Sequence, residues 1–178
     1  MRDPIELFEV SLRLDSYDDI FSDFDIRSYS KRSLSIDFLD EIKRSINEKD
    51  GKGIELLLYA PEKERDSSKE VIIKGRLAAH FKKHYHLLKE EKRRVIKLGI
   101  GMVIAGIISM FAATFVLFKD PSRSLLLSFL VIFLEPAAWF LWWEGMDLII
   151  FQSKKINPEL YFYHKMFDSH ERIHFKSY

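Results

Sequence analysis

Leu98 to Phe118 reads LGIGMVIAGIISMFAATFVLF, without a charged residue. At 1.5 Å per residue, these about 21 residues cover a hydrocarbon core of roughly 30 Å. Lys119-Asp120-Pro121-Ser122-Arg123-Ser124 interrupts the run, and a second apolar stretch, a few residues longer, follows from Leu125 to Phe151. The pair predicts a transmembrane hairpin, with spans at 98–118 and 125–151 and a turn at 119–124 outside the cytoplasm.

The flanks orient it. Lys82, Lys83, Lys89, Lys92, Arg93, Arg94 and Lys97 precede the first span and Lys154 and Lys155 follow the second, whereas the turn holds only Lys119 and Arg123. Basic residues favour the cytoplasmic side, so both termini are expected there, in a multi-pass protein of the cell membrane. The basic cluster reads as a topology signal resting near anionic headgroups. A net charge of +1 gives no reason to expect nucleic acid as a partner. With no cysteine, the chain has no disulfide, thiolate metal site or cysteine nucleophile. MRDPIELFEV carries acids where a signal peptide needs a bare apolar stretch, so no cleaved leader is expected.

Outward from the hairpin, the chain predicts a small α+β cytosolic domain over 1–66. Val10, Leu12 and Leu14 alternate with Glu9, Ser11 and Arg13, the period of a half-buried strand over 5–14. The following Ser- and Asp-rich stretch carries Tyr17, Ile20, Phe21, Phe24, Ile26 and Tyr29, and is expected to be an ordered loop that packs these side chains. Ser35 is placed to cap a helix over 36–48 with Ile36, Phe38, Leu39, Ile42 and Ile46 on its apolar face. A turn at 49–53 leads to a strand over 54–59. Two strands leave open edges, and Ile173 and Phe175 in the tail, 152–178, alternate as a third strand would. The tail is expected to pack on the N-terminal domain, after a short helix opened by Asn157 and Pro158.

Ser67 and Glu70 fit a capping box, and no breaker follows before Pro121. One helix is therefore expected from about Ser68 to Phe118, its segment 67–97 lying ahead of the membrane and coupling the cytosolic domain to the first span.

Within the spans, Gly101, Ala105, Ser109 and Ala113 recur every four residues. Such a line of small side chains lets a helix approach closely, either the second span or another copy, and Gly99 and Gly106 open a second face. The second span carries Glu135, Glu144 and Asp147, with Pro136 beside the first. Glu135 falls near the bilayer midplane, where an unpaired carboxylate costs at least about 2.5 kcal/mol. Pro136 removes an amide donor and is expected to break the helix there. Such a site suits an ion path, or else a protonated Glu135 locks the hairpin through Ser109, Thr114 or a backbone carbonyl. Glu144 and Asp147 are expected opposite Arg94 and Lys97 as salt-bridge partners, or as an acidic ring at a pore mouth. Trp139, Trp142 and Trp143 read as interfacial anchors. His80 and His84 have a spacing that suits a metal, but the other histidines follow no ligand pattern, and no metal or cofactor is expected.

These features describe a small integral membrane protein that forms a homo-oligomeric, channel-like or transport-related assembly. Lipids and further copies of the chain are its expected partners, with an ion or a cytosolic protein as additional candidates. A membrane-anchored interaction protein is the alternative. No clustered nucleophile, base and oxyanion donor points to an enzyme.

Overall fold

The structure, a computed structural model, describes residues 7–47, 53–119 and 124–178. The glycine turn at 49–52, the start of the first strand at 5–6 and most of the inter-span turn lie outside them. The chain divides into two compact units. The first takes the chain up to His86 together with Glu159–Tyr178, and the second is Leu87–Pro158.

The first unit is built on three parallel strands, β1 (Leu7–Arg13), β2 (Gly53–Ala60) and β3 (Ile173–Ser177), in the order β1-β2-β3. Val10 pairs with Leu56 and Leu12 with Leu58 on one side, and Ile173 and Phe175 face the same two leucines on the other. A wholly parallel sheet is more specific than the α+β expectation, and β2 explains it. Leu56, Leu57 and Leu58 are buried in succession, so both of its faces are covered, as in parallel sheets. Parallel neighbours require crossovers. The first contains α1 (Ile36–Asn47), while the connection from β2 to β3 contains both long apolar helices.

Helix α1 turns Phe38, Ile42 and Ile46 inward, and Ile36 stays 75% exposed, contrary to the expected face. Ile36 precedes Phe38 by two residues, about 200° of helical rotation, and so points away from the face that Phe38, Ile42 and Ile46 share. Loop 21–34 also departs from expectation. Tyr17, Ile20 and Phe21 are buried and Tyr29 stacks on Phe21, but Phe24 and Ile26 are each 98% exposed. The Asp25 carboxylate holds the loop in this shape by accepting from the Arg27 side chain and from the Ser33 amide at 2.7 Å.

Helix α2 (Ser67–Lys119) is one element of 53 residues. Its N-cap is Asp66, whose carboxylate accepts from the amides of Ser68 and Lys69, in place of the expected Ser67–Glu70 box. Glu70 is buried and serves the tertiary structure, accepting from the Tyr17 hydroxyl at 2.8 Å and pairing with Arg65. Ile73, Leu77 and Phe81, each fully buried, form the inward stripe of this part of α2. Burying each contributes about 2 kcal/mol of transfer free energy before chain entropy is counted. Phe81 meets Phe162 and Tyr163 of α5 (Asn157–Asp168), and Lys43 of α1 pairs with Glu159.

The second unit is an antiparallel helical hairpin. Helix α3 (Leu125–Asp147) continues through a π-helical turn at Leu148–Gln152 into the single turn α4 (Ser153–Lys155). Pro136 sits within α3 without interrupting it, so the expected break is absent. Both helices are long and apolar enough to cross a membrane. Their outer faces leave Ile104, Ile108, Phe111, Phe115, Phe129 and Phe133 exposed.

Candidate functional site

Two sets of side chains hold chemistry that their surroundings do not absorb, one in the hairpin and one beside the sheet.

The hairpin closes on glycines. A Cβ added to Gly99 would lie 2.7 Å from the Gly145 carbonyl oxygen, and one added to Gly106 would lie 2.8 Å from the Ala138 carbonyl oxygen. Gly145 would meet the Gly99 carbonyl oxygen at 2.6 Å in the same way. Ala113 and Val131 are buried one layer further along. The seam thus runs Gly99-Gly106-Ala113 on α2 against Gly145-Ala138-Val131 on α3, in steps of seven residues, the spacing of helices that cross at a shallow angle. Of the four small residues expected to pack, only Ala113 lies on it. Gly101 has open space where its Cβ would be, Ala105 is exposed, and the Ser109 hydroxyl donates to the Ala105 carbonyl of its own helix. The signal that finds the seam is the seven-residue recurrence, which a four-residue ladder of small residues conceals.

Glu135 lies on the shoulder of this seam, about 15 Å along α3 from Leu125. Its side chain is exposed and has no hydrogen-bond or ion-pair partner among the described residues. It lines a cleft of about 370 Å³ with Trp139 of its own helix and Met110, Ala113 and Thr114 of α2. The expected lock through Ser109 or Thr114 does not form. The Thr114 hydroxyl donates to the Met110 carbonyl at 2.9 Å, and Ser109 is not part of the cleft.

Glu144 and Asp147 lie half-buried towards the end of α3, and neither pairs with Arg94 or Lys97. Asp147 accepts from the Gln152 side chain at 3.1 Å across the π-helical turn, whose fifth-residue spacing aligns the two. Lys92 is held by the Asn157 side chain at 2.6 Å. The expected interfacial indoles form a chain of contacts. Trp139 meets Trp142 edge-on, Trp142 meets Trp143, and the two outer rings are exposed.

Beside the sheet, the His80 and His84 rings lie 4.2 Å apart, and His84 stacks on Tyr163. The Nε2 atom of His80 is buried without a partner. Burial is the main cause that lowers the His80 pKa to about 4, with the positive charge of a protonated His84 and of Arg76 and Lys83 adding to it. Among the described residues, no group of three metal-ligating side chains converges. The pair serves as aromatic packing between α2 and α5.

Compared with protein families, curated proteins and solved structures, the chain matches none of them.

Proposed function

We propose that this chain is a two-span integral membrane protein with both termini in the cytoplasm, whose hairpins assemble into a homo-oligomeric, channel-like or transport-related complex. The sheet-bearing unit organises or gates that assembly. Two exposed apolar helix faces support placement in a bilayer, since soluble proteins seldom leave such large apolar patches uncovered. The observation that carries the assembly is Glu135. A carboxylate at this depth is costly without a partner, and the hairpin supplies none. Turning it towards an oligomer axis gives it water, an ion or another carboxyl group.

The test is ion flux in proteoliposomes for the unmodified protein and Glu135→Gln. Flux is expected to fall at least about tenfold in the variant, as for loss of an intramembrane charge. Unchanged assembly and unchanged flux would remove this reading.

One observation favours the second reading, a membrane-anchored interaction protein. Phe24 and Ile26 stand fully exposed on a braced loop, the kind of display that a binding partner covers. Under that reading, Phe24→Ser with Ile26→Ser abolishes partner capture and leaves Glu135 variants without effect.

A further inference from the structure

We propose that the cleft at Glu135 binds a lipophilic organic cation, an onium or protonated amine carrying apolar groups. The inference rests on the bilayer placement above and names a substrate class for its transport side.

Glu135 faces the cleft without a protein partner, and no Lys or Arg occurs in Leu98–Phe118 or Leu125–Phe151. An ionised Glu135 therefore finds no counter-charge at this depth in this chain or in a second copy, and a cation that pairs with it comes from elsewhere. The Thr114 hydroxyl already donates its hydrogen bond to the Met110 carbonyl oxygen, which leaves its own oxygen as an acceptor. Calcium and magnesium ions take about six or more oxygen ligands, and the cleft offers one carboxylate and one hydroxyl. Its other lining residues are Trp139, Met110 and Ala113. Indole faces attract organic cations, and thioethers adapt to irregular apolar shapes. A volume of about 370 Å³ is that of a small-ligand site. A ligand that carries its own apolar body leaves water for such a cleft at lower cost than a hydrated metal ion does.

The experiment measures binding of tetraphenylphosphonium by equilibrium dialysis against nanodiscs holding the full chain, with empty nanodiscs as background. Tetraphenylborate, nearly the same shape with the opposite charge, is the control. The proposal predicts saturable binding of the phosphonium and none of the borate. Glu135→Gln should weaken binding at least about tenfold, as expected for loss of the charge that recognises the ligand. Glu135→Asp keeps the carboxylate and should retain binding within about threefold. Thermal melts of both variants establish that the hairpin is intact. Phosphonium binding no greater than in empty discs, equal in Glu135→Gln, or matched by the borate would overturn the proposal. The mass of the same nanodisc particles reads assembly separately. A single copy with Glu135-dependent binding keeps the site and removes the oligomer, whereas an oligomer that conducts ions without binding the phosphonium keeps the assembly and removes the site.

Discussion

His80 shows how one side chain makes a fold sensitive to acid. Its ring packs beside Phe81, His84 and Tyr163 with Nε2 buried and unpartnered, so the folded protein holds it neutral down to a pH of about 4. The unfolded chain takes up that proton near pH 6.5. As pH falls from about 6.5 to about 4 the unfolded state binds more protons than the folded state, and stability is lost across that window. Melting of the solubilised protein between pH 7 and 4.5 should show this loss, and His80→Leu, which cannot titrate, should flatten it. An equal pH slope in the variant would assign the acid sensitivity to other groups. Glu70 makes a second prediction at this scale. It is buried between Tyr17 and Arg65, so Glu70→Ala leaves a buried hydroxyl and a half-buried guanidinium without an acceptor. The expected cost is about 2 kcal/mol, lowered from the value for a fully buried pair by the solvent at Arg65. Tyr17→Phe removes two hydrogen bonds, the one the hydroxyl donates to Glu70 and the one it accepts from the Asp66 amide, but leaves the Arg65–Glu70 pair in place, and should cost about 1–1.5 kcal/mol. Denaturant titration of both variants checks the order.

At the scale of elements, the hairpin seam yields the sharpest contrast. Gly106→Leu forces a branched side chain against the backbone of Ala138 and Trp142, whereas Gly101→Leu points into open space. The first should destabilise the hairpin by about 1–3 kcal/mol or separate its helices, and the second should leave melting nearly unchanged. Equal effects would mean that the four-residue ladder carries the packing after all. The sequence disclosed both apolar helices, because long uncharged runs have few other solutions, and Gly99 and Gly106 as a second packing face, but not that this face rather than the four-residue ladder carries the seam. Packing between two apolar helices depends on which small residues face each other, and Gly99, Gly106 and Gly145 declare that only when both helices are aligned. The same division holds in the first unit. The third strand was legible in the alternation of Ile173 and Phe175, and the parallel sense lay in the run Leu56-Leu57-Leu58, which signals burial on both faces. Phe24, Ile26 and Ile36 were misjudged because apolar character alone does not say that a side chain is covered. Glu70 was misassigned because a capping-box pattern does not reveal that Tyr17 and Arg65 converge on the same carboxylate.

For the molecule as a whole, the two apolar helices and the unpartnered Glu135 ask for different surroundings. In the proposed bilayer placement, lipid covers Phe111, Phe115, Phe129 and Phe133, which are exposed along the hairpin, and cannot satisfy a carboxylate. Glu135 was singled out in the sequence by its position within the second apolar run. Its cleft with Met110, Thr114 and Trp139 was not foreseen, since that grouping depends on the register of α2 against α3. The central claim is that hairpins of several copies assemble around this residue in a bilayer. Native mass spectrometry of the protein released from nanodiscs tests it most directly. A closed assembly of about four or more copies is expected, enough to surround an axial path. A monomeric mass would contradict it and leave the membrane-anchored interaction protein as the better account.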